Sequence, residues 1–177
     1  MRGLKPELNK KIKDALAGKF PQAGLVITED RGIVVVQAKI PVLIDLMKYL
    51  KSDPACSFNV LIDLTSVDYL NKKPAAERFE VVYLLWSTST MQRLRVKVAV
   101  AEGGAVPSLV SIWKGANWPE REVFDLMGVE FSGHPNMDRI LMPENFRGHP
   151  LRKDFPLEGI GEDYLIESLL LPEEKKA

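Results

Sequence analysis

The chain begins with apolar residues at the spacing of an α-helix. The first helix is predicted from four residues that lie four apart: Leu4, Leu8, Ile12 and Leu16. This spacing places them on one face of a helix, and Gly18 follows as the expected C-terminal cap. A second helix is expected to begin near Pro41, to bury its apolar side chains from Leu43 to Leu50, and to end before Pro54.

Period-two alternation predicts the strands. Two short β-rich runs within residues 25–36 flank a turn at Gly32, which indicates a hairpin. From residue 58 to Leu64 apolar and polar residues alternate, and then the phase slips so that Val67 and Tyr69 continue the apolar row. An inserted residue of this kind predicts a β-bulge after Leu64.

Two further strands differ in how they are covered. Residues 79–86 are apolar at both odd and even positions, which is typical of a central strand that is buried on both faces. In residues 93–100 apolar residues alternate with Arg93, Arg95, Lys97 and Ala99, which leaves one wet, basic face. Because no aromatic side chains are interleaved on that face, it does not favour nucleic-acid binding.

A short helix is predicted at residues 118–127. Asn117 is expected to cap it, with Glu120 three residues on as the second half of a capping box, and Gly128 is expected to end it. Arg121 and Asp125 are four residues apart, so they are expected to pair on one face of the helix.

Beyond Phe131 prolines and glycines interrupt any long helix, yet apolar residues remain frequent. A segment of this kind is expected to lie extended along a surface. We therefore predict an α+β fold with a mixed or antiparallel sheet covered by helices in residues 1–131, followed by an extended, Pro/Gly-punctuated C-terminal docking arm in residues 132–177 that packs on a partner.

Composition narrows the class of protein. The 177 residues are 46% hydrophobic and 27% charged, which indicates a folded globular chain. Lys and Arg (24) balance Asp and Glu (24), so no net field attracts nucleic acid or anionic lipid. The longest apolar run, Val81–Trp86, is too short to span a bilayer, and we expect no signal peptide. The single cysteine, Cys56, excludes an internal disulfide and is expected to be buried.

Candidate chemistry is sparse. The chain has no nucleotide-binding glycine loop and no His-Glu-x-x-His or Gly-x-Ser-x-Gly motif. A Gly-His-Pro tripeptide occurs twice, around His134 and His149, with Asp138 and Asp154 nearby. These groups fit a metal site or an acid–base pair, or two tight turns whose histidines bond to backbone. Glu120, Glu122 and Asp125 fit either a carboxylate cluster or a cap and an ion pair.

A long motif carries a family resemblance. It runs from Glu120-Arg121-Glu122-x-x-Asp125-Leu126-Met127-Gly128 through residues 129–142 and on to Phe146-x-Gly148-His149-Pro150-Leu151-Arg152-Lys153-Asp154-Phe155-Pro156-Leu157. This motif resembles that of the C subunit, also called the thirty-kilodalton subunit, of bacterial NADH:quinone oxidoreductase (respiratory complex I). Weaker similarity extends upstream, so that about residues 56–159 are covered.

The resemblance implies a non-redox subunit of the peripheral arm, on the cytoplasmic face of the cell membrane and without a membrane span. No cofactor is expected in this chain, whereas NADH, FMN, iron–sulfur clusters and quinone belong to the whole complex, which couples electron transfer to proton translocation. The expected partners are the D subunit, which helps to form the quinone site, and the B and I subunits. The motif residues expected at the partner interface are Glu120, Arg121, Glu122, Asp125, His134, Arg139, Phe146, His149, Leu151, Arg152, Lys153, Asp154 and Phe155.

Three alternatives remain open, one of which is a dimerising interaction module outside respiration. Membrane-bound hydrogenases and ferredoxin- or deazaflavin-dependent complexes use a similar subunit, so the electron donor is not fixed by the resemblance. A stand-alone hydrolase or isomerase that uses His134 and His149 is the alternative from a different class of protein.

Overall fold

The computed structural model describes residues 6–72, 74 and 77–160. Within these residues three helices and seven strands follow one another: α1 (Pro6–Lys19), β1 (Val26–Asp30), β2 (Ile33–Ala38), α2 (Leu43–Ser52), β3 (Val60–Asp68), β4 (Phe79–Ser87), β5 (Gln92–Val100), β6 (Ala105–Pro107), α3 (Asn117–Met127) and β7 (Glu130–Ser132). Single 3-10 turns, Ile40–Val42 and Lys114–Ala116, lead into α2 and α3.

Five strands form one mixed sheet in the order β1-β2-β5-β4-β3. The β2–β5 pair is parallel and the other neighbours are antiparallel. The α+β class with a mixed sheet is therefore confirmed. Strand β4 lies between β3 and β5 and buries most of its side chains, so its central position is confirmed as well.

A second, two-stranded sheet joins β6 to β7 in parallel. No pattern in the sequence predicted it, because runs of three residues are too short to show a period. In the chain, β6 precedes α3 and β7 follows it. In space, the residues after β6 lie next to the start of that helix, where the N–H of Leu109 bonds to Glu120.

The core lies on one face of the large sheet. It contains alternate residues of β2, β4 and β5 together with the apolar sides of all three helices, such as Leu16 of α1, Leu46 of α2 and Val123 of α3. Cys56 is buried in this core, where burial and nearby Asp53 raise the pKa of its thiol to about 11. In the described part of the chain, every helix is too short or too polar to traverse a bilayer.

Two expectations about element ends and register are wrong. Helix α1 continues through Gly18 to Lys19, and the N–H of Phe20 still bonds to the carbonyl of Leu16, so Gly18 is not the cap. Leu4 lies outside the described residues. The irregularity in β3 lies between Leu61 and Asp63, before Leu64 rather than after it.

The position of the bulge decides what faces inward at the end of β3. Ser66 and Asp68 are buried, whereas Val67 is 37% exposed, so Val67 does not continue the apolar row. The hairpin prediction is confirmed: β1 and β2 pair around Arg31 and Gly32, whose positive φ angles of 48° and 77° suit a two-residue turn.

The basic face predicted for β5 is partly neutralised within the chain. Arg95 lies 3.3 Å from Asp30, and Lys97 lies 2.7 Å from Glu80. Because both side chains are only half-exposed, the wet, basic character of this face is concentrated at Arg93, which is exposed.

Candidate functional site: helix α3 and the C-terminal segment

Residues 133–160, here called the C-terminal segment, run from β7 to the last described residue without a further helix or strand. All the motif residues predicted for a partner interface lie on α3 or in this segment. The geometry of the site therefore follows from how α3 is built and how the segment attaches to it.

The N-terminal end of α3 is anchored by the loop residues Ser108 and Leu109. Asn117 is the first residue of α3, with helical φ and ψ angles, and the capping position falls on Ala116, which has no side-chain acceptor, so the predicted capping box is wrong. Glu120 instead points into the protein and is fully buried. Its carboxylate accepts the hydroxyl of Ser108 at 2.6 Å and the N–H of Leu109 at 2.7 Å. Burial outweighs these two bonds and raises the pKa of Glu120.

The first Gly-His-Pro turn closes over this end of the helix. The Nδ1 atom of His134 accepts the N–H of Asn136 at 3.0 Å, and Nε2 lies 3.2 Å from the carbonyl oxygen of Asn117. Because a carbonyl only accepts, Nε2 carries the hydrogen. The same nitrogen lies 4.0 Å from Glu120, and both side chains are buried. His134 is thus a turn residue bonded to backbone.

A second carboxylate, Asp125, is fully buried one and a half turns later. It does not pair with Arg121, so that prediction is wrong. Its Oδ1 atom accepts Arg139 at 2.7 Å. Its Oδ2 atom accepts three consecutive backbone N–H groups, those of Ile140 (3.0 Å), Leu141 (2.7 Å) and Met142 (2.9 Å).

These bonds set the charge state of Asp125. Burial alone would raise the pKa of Asp125, but the N–H groups of Met142, Leu141 and Ile140, together with Arg139, outweigh it and lower the pKa. Hydrogen bonds to a carboxylate favour its charged form. Asp125 is therefore a buried anion at neutral pH.

Arg121 contacts the segment instead of Asp125. Its guanidinium donates to the carbonyl oxygens of Asp138 at 2.9 Å and Arg139 at 3.4 Å. It also lies 5.1 Å from the ring of Trp118, which is 64% exposed. The exposed side of α3 and residues 138–139 therefore form one continuous surface.

The C-terminal end of α3 receives its donors from the second Gly-His-Pro turn. Gly128 ends the helix with a φ of 72°, as predicted. Donors from the segment then satisfy four carbonyl groups: His149 Nδ1 to Asp125 (2.9 Å), Leu151 N to Leu126 (3.0 Å), Arg152 Nε to Met127 (2.7 Å) and Arg152 Nη2 to Gly128 (3.4 Å). A cation at this end also suits the helix dipole.

His149 is uncharged at neutral pH. Burial lowers its pKa, the positive charges of Arg152 and Arg139 lower it further, and the bond to the carbonyl of Asp125 only partly offsets them. Neither histidine stands in a donor set for a metal: among the described residues, no three His, Cys, Asp or Glu side chains converge on one point.

A second anchor joins the segment to the large sheet. Asp68, buried at the end of β3, bonds to the guanidinium of Arg78 at 3.1 and 3.2 Å and accepts the backbone N–H of Lys153 at 2.9 Å. Arg78 also donates to Asp154 at 2.7 Å and to Glu102 at 2.8 Å. Glu102 in turn lies 3.1 Å from Arg152.

The charge states of this network follow from its contacts. Burial would raise the pKa of Asp68, but Arg78 and the N–H groups of Lys153 and Leu70 lower it overall. The bond to Asp68 raises the pKa of Arg78, with further help from Asp154 and Glu102. A buried carboxylate and a buried guanidinium thus stabilise each other's charge.

The predicted interface residues separate into three groups. Glu120, Asp125 and Phe146 are buried in the chain's own interior; Phe146 stacks on Phe155 at 6.0 Å. Arg121, Arg139, His149, Arg152 and Phe155 are half-buried, and so is His134 as a whole residue, although its side chain is buried. Glu122, Leu151, Lys153 and Asp154 are exposed. Contact with a partner stays a prediction for all thirteen residues.

Sequence reasoning missed four residues that organise the site: Asp68, Arg78, Glu102 and Ser108. One signal was available, since Ser66 and Asp68 interrupt the apolar alternation of β3 at positions that a shifted bulge turns inward. Glu102 and Ser108 lie in loops, where no periodicity marks them.

Comparison with known proteins identifies the family. Residues 36–160 match the family described as "Respiratory-chain NADH dehydrogenase, 30 Kd subunit". The C subunit of NADH-quinone oxidoreductase from Roseiflexus sp. (strain RS-1) is 45% identical over 150 residues, which is 84% of each chain. The corresponding subunit of Trichlorobacter lovleyi is also 45% identical, over 85% of this chain and 91% of its own, and that of Rhodobacter capsulatus is 43% identical over 86% and 76%.

A solved structure shares the fold. A chain of the membrane-bound sulfane sulfur reductase, an archaeal respiratory membrane complex, superposes with a TM-score of 0.68 over 92% of both chains at 21% identity. The sequence matches show more than the shared fold, because the relatives are 43–45% identical to this chain and the family match includes both Gly-His-Pro turns. The chain therefore belongs to the 30-kilodalton subunit family of respiratory-chain NADH dehydrogenase, and is a subunit of an NADH:quinone oxidoreductase that works with partner subunits in a respiratory complex.

Proposed function

We propose that this chain is a non-redox scaffold subunit of the peripheral arm, located at the cytoplasmic face of the cell membrane, which docks through α3 and the C-terminal segment to the quinone-site partner, the D subunit. The B and I subunits are its further neighbours. The complex transfers electrons from NADH to quinone and couples this transfer to proton translocation. NADH, FMN, the iron–sulfur clusters and quinone are bound by other subunits, and this chain keeps those subunits at the correct spacing.

The observation that carries the proposal is the placement of exposed apolar side chains. Of the nine large apolar residues exposed in the described chain, five lie on α3 or in the C-terminal segment. They are Trp118 (64% exposed), Leu141 (54%), Leu151 (58%), Leu157 (104%) and Ile160 (40%). Apolar side chains grouped on a well-anchored surface are typical of a protein–protein interface.

The charged residues of the same region support a docking role rather than chemistry. Arg139 and Arg152 are used to hold the segment on α3, so the partner meets a surface of fixed shape with Lys153 and Glu122 exposed at its rim. A preformed apolar centre with a polar rim is the usual anatomy of a stable interface.

One alternative keeps the architecture and changes the electron donor. The fold shared with the archaeal sulfane sulfur reductase favours a related complex, such as a membrane-bound hydrogenase or a ferredoxin- or deazaflavin-dependent enzyme, as the second candidate. Purified complex that oxidises NADH supports the first candidate, whereas complex that accepts electrons only from another donor supports the second.

A hydrolase or isomerase based on His134 and His149 has less support. His134 uses both ring nitrogens toward backbone groups, and Nδ1 of His149 donates to the carbonyl of Asp125. Each imidazole therefore has a local structural task.

The test replaces one exposed apolar side chain with a charge. Leu151→Glu is expected to remove the chain from complex purified from native membranes, because the new charge would be buried against the partner without compensation. Met91→Glu is the matched control, since Met91 is equally exposed (56%) but lies at the β4–β5 turn. Subunit content by mass spectrometry and NADH:quinone reductase activity are measured for both variants.

Loss of the chain and of activity in Leu151→Glu, with Met91→Glu unchanged, supports docking through this surface. Full incorporation of Leu151→Glu would refute it. Equal loss in both variants would also contradict the proposal, because docking would then not depend on the C-terminal segment.

A further inference from the structure

We infer that residues 139–154 are fixed on their own domain before any partner binds, and that two buried carboxylates, Asp125 and Asp68, are the positioning residues for this docking surface. The role in docking rests on the proposed function; the ordering of the free chain does not.

Asp125 holds the first half of this stretch. Its side chain comes from α3, yet its acceptors are filled by Arg139 and by the N–H groups of residues 140–142. Three successive N–H groups that point at one carboxylate oxygen form an anion-binding nest. In the free chain this nest is already occupied by the chain's own anion.

Asp68 holds the second half from a different element. It lies at the end of β3, 85 residues before Lys153, whose N–H it accepts. Through Arg78 it also reaches Asp154, because one guanidinium nitrogen of Arg78 contacts both carboxylates. Glu102 links Arg78 to Arg152 and completes a network from three parts of the chain.

The ordering of the stretch depends on these anchors because its backbone offers little else. Apart from local turns, a single backbone–backbone hydrogen bond, from Leu151 to Leu126, joins residues 139–154 to another part of the described chain. Charge-assisted bonds to buried carboxylates are stronger than neutral ones, and salt screens them much less than surface pairs. Two such anchors, one at each half, fix both position and direction.

The consequence concerns how the subunit assembles. A segment that folds only on binding loses conformational entropy at that moment, whereas a preordered segment avoids most of this cost. Docking of this chain is therefore a rigid-body event. Asp125 and Asp68 act on the interface without touching the partner, since both are buried within the chain.

Hydrogen exchange of the full-length chain, purified alone, tests the inference. In the wild type we expect protection at the N–H groups of residues 140–142 and of Lys153, which are the donors to the two carboxylates. Asp125→Asn is expected to speed exchange at residues 140–142 by about tenfold or more, and Asp68→Asn to do the same at Lys153.

Matched controls lie on the same elements. Glu122→Gln removes an exposed carboxylate from α3, and Asp63→Asn removes one from β3; neither is expected to change exchange in residues 139–154. The amides of β4 and β5 report global unfolding in every variant. Asp154→Asn removes an exposed partner of Arg78, so it loosens the second anchor even if Asp68→Asn does not fold.

Each result decides one part of the inference. Unprotected residues 139–154 in the free wild-type chain would overturn it, whatever the chain docks to. Protected residues in the wild type, with local loss in the variants and a lower content of variant chain in purified complex, support it. Normal incorporation of locally loosened variants would overturn the positioning role while leaving the proposed function intact. Absence of the wild-type chain from the complex would instead refute the proposed function.

Discussion

Helix α3 carries a buried carboxylate near each end, and the two ends differ in how that carboxylate is satisfied. Glu120 has two hydrogen bonds, from Ser108 and Leu109, and the imidazole of His134 at 4.0 Å. Asp125 has a guanidinium and three backbone N–H groups. Both side chains are fully buried, yet the pKa of Glu120 is raised and that of Asp125 is lowered.

The difference shows that burial alone does not decide charge. Removal from water penalises both anions, and only the number and charge of the donors that replace water determine the sign of the net pKa shift. The two Gly-His-Pro turns differ as well, since the turn of His134 closes over the buried carboxylate of Glu120, whereas that of His149 lies beside Arg152 and Arg139. One tripeptide thus serves two electrostatically different ends.

The largest expected effect comes from removing the charged carboxylate at the C-terminal end of α3. Asp125→Ala leaves Arg139 and three N–H groups without their acceptor, and breaking a buried pair in this way costs about 3–5 kcal/mol. We expect the free energy of unfolding, measured by urea denaturation, to fall by this amount. A loss below about 1 kcal/mol would show that water replaces the carboxylate and that this end is not strongly coupled.

A smaller decrease in the free energy of unfolding is expected from Gly128→Ala, which changes the C-terminal end of α3 without removing a charge. A Cβ atom at Gly128 would overlap the guanidinium of Arg152 and the ring of His149, and the φ of 72° disfavours any side chain. Strain and displacement together are expected to cost about 2 kcal/mol. Gly115→Ala, at an open position in the 3-10 turn before α3, is the control and is expected to leave thermal stability unchanged.

The smallest effect, and the one with opposite sign, is expected at Glu120. Because the pKa of Glu120 is raised in the folded chain, ionisation of Glu120 lowers the free energy of unfolding as pH rises above about 4.3, the pKa of a glutamate in the unfolded chain. Glu120→Gln keeps an acceptor for Leu109 and is expected to stay within about 1 kcal/mol of the wild type, while gaining stability relative to the wild type between pH 4 and pH 7.

For Asp125 we expect the free energy of unfolding to change with pH in the opposite direction. Because its folded pKa is lowered, its contribution is present above the unfolded pKa of about 3.9 and is lost as pH falls through the folded value. Unfolding free energies of wild type, Glu120→Gln and Asp125→Asn across pH 3–7 measure both slopes. If the two variants showed the same change of unfolding free energy with pH, the proposed difference between Glu120 and Asp125 would be contradicted.

Much of the fold could be predicted because it depends on periodicity. The hairpin at Gly32, the central strand β4 and the glycine that ends α3 each follow from a local pattern, and the structure confirms them. The failures are long-range. Asp125 takes Arg139 rather than Arg121 because the chain returns to α3 fourteen residues later, and helix spacing carries no information about that return.

The site was predicted in outline by the family motif but not in its chemistry. The motif marks Glu120, Asp125 and Arg152 without showing that these side chains bind their own chain. The Asp68–Arg78 pair lay outside the strong part of the motif, and only the true position of the bulge in β3 reveals that Asp68 faces inward.

The end of α3 also has a consequence for synthesis. The carbonyl of Met127 finds its donor in Arg152, 25 residues later in the chain. At about 5–20 residues per second, the ribosome completes the helix a second or more before it adds the residues that cap it. Until residue 152 has been added, the carbonyls of residues 127 and 128 lack the guanidinium that satisfies them in the folded chain, so this end of the helix is completed only after the rest of the domain has been synthesised.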